Sequence, residues 1–409
     1  MTSPLARFSG ALLGLVALAA CSSSEDGPRR GQSTGGSQNS AGTSSSAGSA
    51  AGGTTSLGGS GNAGTTSVAG TTSVAGAGNV AGSGGNAPQP PHPAVSMGYV
   101  GQLSGDDVNA LDYSAVTYVI QGFYSADAGS GAIADVWNVD KYANAGLRAK
   151  AKAAGAGVVL SLGGSNHSDP LKQIAKSAGT IQSLAQNIVT KINQDGLAGV
   201  DLDIEFPAGG SEPDEHYNLV AAVYDAVKAN NPKSIVVFGV SPGYWLDQYR
   251  WSKLASKTDY AFYFCYDWSN PANGPMLNEG SDMAALGGAH FEASCRGAMN
   301  FMIAQGYPAE KIVLGLGFYA AGGAPYSMIP PDLKSKAPDP QTMEVMGPDA
   351  WWPNSASIKM KIDAVLSKEK TVLTGGKTAG GVGFWEWGYE NPSAPDLSQA
   401  MKQQVALYK

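Results

Sequence analysis

Cysteine is scarce: the chain of 409 residues contains 3. That is too few for a disulfide-scaffolded miniprotein or a multi-cysteine zinc cluster. Charge is also scarce and unevenly spread. Charged residues make up 14% of the chain, and none of Asp, Glu, Lys or Arg occurs from Gly31 to Gly105. Nearly all of the folded part therefore lies beyond that stretch. The net charge is −7 and no stripe of Lys and Arg is present, which argues against nucleic acid as a partner. The apolar run Ala11–Ala20 is too short to span a bilayer as a stable helix.

That run, preceded by Arg7, fits a secretory signal over residues 1–20. It ends in Leu18-Ala19-Ala20-Cys21, which resembles the lipobox of bacterial lipoproteins. The resemblance implies cleavage before Cys21 and lipidation of its thiol and new amino group; a plain signal peptide with a chance Cys is the alternative. More than one acyl chain gives stable anchoring. Residues 21–94 are rich in Ser, Gly, Ala and Thr, with a tandem Thr-Thr-Ser-Val-Ala-Gly at 65–70 and 71–76. Such a composition buries too little apolar surface to offset chain entropy, so a disordered tether is expected. Its reach is on the order of 45–50 Å. The expected location is an exported, membrane-anchored lipoprotein of the cell envelope, with membrane contact through the lipid alone. Ser22 after Cys21, where Asp would resemble an inner-membrane retention signal, points to the outer membrane or cell surface.

Residues 95–409 alternate strand and helix signals. Strand candidates are 95–100, 116–123, 158–162, 199–205, 235–240, 260–267, 312–318 and 382–387, several of them the continuous apolar runs of doubly covered parallel strands. Helical spacing appears at Ile181, Leu184, Ile188 and Ile192, and at Val220, Val223 and Val227 after Pro213. A closing helix carries Leu397, Met401 and Val405, with Asp396 as its expected N-cap. The pattern predicts an α/β fold, a (β/α)8 TIM barrel. A doubly wound open sheet is the alternative, but no Gly-x-Gly-x-x-Gly turn follows the first strand.

The chemistry concentrates in Gly199-Val200-Asp201-Leu202-Asp203-Ile204-Glu205. Alternate side chains of a strand share a face, so the apolar residues pack under helices while Asp201, Asp203 and Glu205 point into the barrel. Successive carboxylates are then about 7 Å apart. Buried charges cost several kcal/mol each unless paired or protonated, so burial and mutual repulsion push at least one pKa up. That is how a carboxyl stays protonated near neutrality as a general acid. A calcium loop needs Gly and polar neighbours here, and a phosphotransfer site a phosphate loop; neither is present.

These residues resemble glycoside hydrolase family 18, the chitinases and related endo-N-acetylglucosaminidases. The family's Asp-Gly-x-Asp-x-Asp-x-Glu aligns with Gly199, Asp201, Asp203 and Glu205, with Ala198 in place of the first Asp. Ser-x-Gly-Gly appears as Ser161-Leu162-Gly163-Gly164, and Met-x-Tyr-Asp as Phe264-Cys265-Tyr266-Asp267, Phe replacing Met. Gly380-Gly381 and Trp385 match the terminal strand, and Gly98-Tyr99 and Gly122-Phe123-Tyr124 the first two. The resemblance implies a retaining hydrolase of β-1,4-linked N-acetylglucosamine polymers in which the substrate's own acetamido oxygen is the nucleophile. It implies Glu205 as acid and base, Asp203 as orienter of the acetamido group, Asp201 sharing a proton with Asp203, and Tyr266 donating to the attacking oxygen. Asp267, Trp385, Tyr99, Phe123, Gly163 and Trp268 form the implied substrate-binding set, with Trp385 under the sugar at the cleavage site.

The partner implied is chitin or another N-acetylglucosamine-containing glycan, and neither metal nor other cofactor is expected. Alternatives are an endo-β-N-acetylglucosaminidase acting on N-glycan cores, a peptidoglycan-directed enzyme, and a non-catalytic carbohydrate-binding barrel. Tyr244, Trp245, Tyr319, Trp351 and Trp352 are further loop aromatics that suit a linear sugar chain or simple packing. Cys265 and Cys295 are equally compatible with a disulfide and with free thiols.

Overall fold

The computed structural model describes residues 93–409 apart from 102, 104–106, 166, 269–275, 278–281 and 349. The expected signal peptide, Cys21 and most of the tether lie outside the described residues.

Eight parallel strands close into a barrel: β1 (Val95–Val100), β2 (Tyr118–Ala126), β3 (Gly157–Gly163), β4 (Gly199–Asp203), β5 (Ile235–Val240), β6 (Tyr260–Phe264), β7 (Ile312–Gly317) and β8 (Gly381–Trp385). Each pairs with its sequence neighbours, and β8 pairs with β1, Val95 opposite Gly381 and Gly98 opposite Phe384, which shuts the ring. This is the expected (β/α)8 TIM barrel. Helices Leu147–Ala153, Ala178–Asp195, Glu212–Asn230, Cys295–Ala304, Ser355–Leu366 and Leu397–Val405 follow β2, β3, β4, β6, β7 and β8. The strands begin within two residues of their expected starts.

Two apolar layers follow from the two-residue period of the strands. Outward residues such as Val200, Leu202, Val236, Phe238 and Leu314 pack with helix residues Leu184, Ile188, Val220 and Val223. Inward residues Met97, Tyr99, Val159, Val237, Phe262, Phe264 and Val313 fill the barrel. The Phe262 ring occupies the space that side chains at Gly315 and Gly383 would need: a Cβ there would stand 2.6 and 2.4 Å from it. Large and small inward residues thus interdigitate to reach native packing density.

Three local details differ from, or settle, the sequence reading. The closing helix is capped by the Glu390 carboxylate, which accepts the N–H groups of Asp396, Leu397 and Ser398. The Asp396 carboxylate instead takes the hydroxyls of Tyr326 and Ser355. An anion at the helix N-terminus is served either way. Cys265 and Cys295 form a disulfide with Cα atoms 5.5 Å apart, tying the end of β6 to the start of the helix Cys295–Ala304. Trp351 and Trp352 form a short strand paired with Val345 and Met346. Trp352 is buried, its indole N–H donating to the Leu333 carbonyl at 3.3 Å, so its work is packing.

Candidate active site

The C-terminal ends of β3, β4, β5 and β6 gather the acids. On β4, Asp201 and Asp203 point inward and are 0% and 2% exposed. Asp201 Oδ2 accepts two hydrogen bonds, from Tyr99 Oη at 2.9 Å and from Ser161 Oγ at 2.6 Å. Asp203 is served differently. Its Oδ1 is buried and finds no hydrogen-bond partner among the described residues. Burial raises the pKa of both groups, and the two donors on Asp201 partly oppose the rise. For Asp203 the charges of Glu205 and Asp201 add to burial, and its carboxyl is held far above the usual range.

Glu205 lies just past the last ladder residue of β4 and is partly buried. Its N–H donates to Ser168 Oγ at 2.8 Å, and that hydroxyl donates to the Gly164 carbonyl at 2.9 Å. The turn after β3 is clamped on the same spot. Gly164 N–H donates to the Asp203 carbonyl at 2.8 Å. Gly163 has φ 114°, and a Cβ there would meet that carbonyl oxygen at 2.0 Å. Only glycine tolerates both the left-handed conformation and the approach. Burial first, then the Asp267 carboxylate, pushes the Glu205 carboxyl up to about 8, with Lys172 pulling the other way. A carboxyl so placed holds a proton at neutral pH and can donate it.

Aromatic rings flank the acids. Trp385, at the end of β8, stacks on Phe123 at 5.4 Å and meets Tyr99 edge-on at 5.4 Å and Trp137 at 6.4 Å. Across the mouth, Tyr266 stacks on Phe264 at 5.2 Å, so the Phe in place of Met supports the Tyr ring. The Tyr319 hydroxyl donates to Asp267, which is exposed and has φ 59°. Non-proline cis peptides stand at Gly122–Phe123, Glu205–Phe206 and Trp385–Glu386.

The sequence profile described as glycosyl hydrolases family 18 matches residues 95–390. The chain belongs to this family. An endochitinase of Brugia malayi is 27% identical over 179 residues, 40% of this chain and 34% of that protein. The chain therefore spans about a third of that relative's length. Among solved structures, Ostrinia furnacalis group IV chitinase in complex with allosamidin superposes with TM-score 0.60 at 16% identity, covering 77% of this chain and 100% of that one. A chitinase-like agglutinin from Robinia pseudoacacia superposes with TM-score 0.57 at 17% identity, covering 76% and 100%. At these identities the likeness to both is one of fold.

Within this family-18 barrel, Asp201, Asp203, Glu205, Tyr266, Asp267 and Trp385 come together at the mouth. The other four members of the expected binding set are placed as follows. Tyr99 is 1% exposed beneath the acids, where its hydroxyl donates to Asp201. Phe123 is buried behind Trp385, and Gly163 acts through the backbone clamp. Trp268 lies against Gly243, its buried indole nitrogen without a hydrogen-bond partner among the described residues. Sequence reasoning missed Ser168, Trp137 and Gly239. Ser168 opens the helix Ser168–Ile174 as Ser-Asp-Pro, a helix-start signal that locates it without revealing its bond to Glu205. Trp137 carries no local signal at all.

Proposed function

We propose that this family-18 chain is a retaining glycosidase that cleaves internal β-1,4 links between N-acetylglucosamine units in chitin or its oligomers. The observation that carries the reading is the graded set of carboxyls on one strand: Asp201 fed by two donors, Asp203 without one, and Glu205 raised to about 8 at the rim. Glu205 gives its proton to the glycosidic oxygen as the bond from the anomeric carbon to that oxygen breaks. The carbonyl oxygen of the substrate's own 2-acetamido group attacks the anomeric carbon from the face opposite the leaving oxygen and forms an oxazolinium ion. Asp203 orients that acetamido group, Tyr266 donates to its oxygen, and Trp385 supplies a flat apolar floor for the sugar ring. Glu205, now a carboxylate, takes a proton from water, whose oxygen opens the oxazolinium ion and restores the original anomeric configuration.

The same reading keeps lipidated Cys21 as the attachment to the envelope, with the tether letting the barrel reach its polymer. The test is product formation from the N-acetylglucosamine tetramer and hexamer by the wild type and Glu205→Gln, with the anomers followed by proton NMR. Hydrolysis with initial retention, lost in the variant, is expected. Tight binding without cleavage by the wild type would replace the proposal with a carbohydrate-binding barrel. Release of N-glycans in place of oligomer cleavage would move it to the core chitobiose of glycoproteins.

A further inference from the structure

The chain leaves the sheet before it reaches Glu205. β4 ends at Asp203, and no strand or helix follows until the helix Glu212–Asn230 begins. A hollow lies behind this segment, lined by Ile204, Pro207, Leu171, Lys172, Glu212 and His216. His216 is 4% exposed, yet neither of its ring nitrogens finds a hydrogen-bond partner among the described residues. Packing and polar contact from that side are thin, so the place of Glu205 is set by other contacts.

One short helix supplies them. The helix Ser168–Ile174 is seated by Leu171 and Ile174, both fully buried. Its first residue, Ser168, is buried too, and its hydroxyl works in two directions. It accepts the Glu205 N–H at 2.8 Å and donates to the Gly164 carbonyl at 2.9 Å, with the Asp203 carbonyl at 3.2 Å. A serine hydroxyl has one proton to give, so these carbonyls fix its direction and leave a lone pair for Glu205. Four residues on, and so on the same face of the helix, Lys172 lies 3.9 Å from Glu212 Oε2. That carboxylate oxygen also accepts the Ala208 N–H at 2.9 Å. Residues 205–208 are thus tied to this helix at both ends, Glu205 directly and Ala208 through Glu212.

We propose that the helix Ser168–Ile174 is a clamp for the proton donor, with Ser168 setting the Glu205 backbone and Glu212, braced by Lys172, securing the far end of the segment. The inference rests on the glycosidase reading above. Ser168 and Glu212 are positioning residues, which act through Glu205. Proton transfer needs the donor within hydrogen-bond reach of the glycosidic oxygen, and a displacement of about 1 Å costs on the order of 100-fold. The clamp also holds the carboxyl in its burial and among the groups that face it. Those are Asp203 on its own strand, Asp267 after β6, Tyr249 after β5 and Lys172 on the helix.

The test follows hydrolysis of the N-acetylglucosamine hexamer by the full chain across pH. Ser168→Ala removes every bond of the hydroxyl, while Ser168→Thr keeps it. Ser168→Ala should lower kcat about 30-fold with KM within about twofold, because ground-state binding does not use the position of the donor. Ser168→Thr should recover most of that loss. In Ser168→Ala the carboxyl can swing towards water, where burial no longer holds its proton, so the basic limb of the profile should fall below about 8. Glu212→Ala frees the far end and should lower kcat about fivefold, again with KM held. A Ser168→Ala protein with kcat within about threefold of wild type and its basic limb in place would overturn the clamp and leave the glycosidase reading intact. A lower kcat with an unmoved limb and a melting point reduced by about 5 °C or more would assign Ser168 a purely structural role and also overturn it. Unchanged kcat in Glu212→Ala would overturn the far end of the clamp. A wild type that does not cleave the hexamer would remove the glycosidase reading and the clamp together.

Discussion

Gly239 on β5 offers a way to move Asp203, one of the carboxyls of the proposed reaction, without touching its chemistry. A Cβ at this position would stand 2.6 Å from Asp203 Oδ1 and 3.1 Å from Phe264 Cζ. Ordinary contact begins near 3.4 Å, so Gly239→Ala must displace the carboxylate oxygen by about 0.8 Å. The oxygen can yield, because no hydrogen bond holds it among the described residues. The backbone at Gly239 is not left-handed, so alanine is acceptable to the strand, and the melting temperature should change by no more than about 2 °C. Catalysis is less forgiving: a misplacement of about 1 Å costs on the order of 100-fold, so kcat on the hexamer should fall about 30- to 100-fold. In an Asp203→Asn background the same substitution should add little, since the two changes disturb one group. A folded Gly239→Ala protein within threefold of wild-type kcat would refute the argument that the position of Asp203 limits the reaction. A melting point lowered by about 5 °C or more would show that Phe264 or the strand had moved in its place.

The raised Glu205 carboxyl makes two pH predictions. Activity should fall as pH rises through about 8, where the donor loses its proton. Because the folded protein holds this proton after the unfolded chain has released it, stability is lost as pH rises from the ordinary carboxyl range towards 8. Glu205→Gln removes that loss, so its melting point should exceed the wild type's by more at pH 8.5 than at pH 5; a pH-independent difference would contradict the assignment. The Cys265–Cys295 disulfide closes a loop with a sequence separation of 30. On chain entropy, replacing both with Ser should cost about 3.6 kcal/mol, read as a lowered urea midpoint under non-reducing conditions. A midpoint unchanged from that of the oxidised wild type would argue against the bond.

The barrel was legible because its strands are buried on both faces and so carry apolar runs that stand out from the intervening helices. In β4 the alternation of Val200 and Leu202 with Asp201 and Asp203 fixed which side chains enter the barrel, and the structure places them so. Strand ends were less legible. Glu205, Tyr266, Asp267 and Trp387 read as strand from the sequence but lie beyond the ladders, and Asp267 at φ 59° cannot belong to one. Apolar and aromatic residues at the rim give the same signal whether they pair in the sheet or line its mouth. The partners of Asp201 were out of reach for another reason. Tyr99 and Ser161 are 102 and 40 residues away in sequence, and nothing local in a Tyr or a Ser says which buried oxygen it serves. Ser161-Leu162-Gly163-Gly164 was found as a motif, but nothing in it marked its first residue as one of the two donors on Asp201.

Those two donors decide how three acids can share one barrel. Buried carboxylates are costly, and three full charges on alternate residues of one strand would cost several kcal/mol each. The strand avoids this by treating the groups unequally. Hydrogen bonds from Tyr99 and Ser161 stabilise the charged form of Asp201, the deepest of the three. With charge kept there, repulsion and burial hold the proton on Asp203, and Glu205 retains its own at the rim. Of the three acids on the strand, Asp201 is then the one that keeps its charge, beneath the place where a cationic sugar forms in the proposed reaction. Tyr99 and Ser161, buried beside Asp201, thus set where on the strand the charge rests.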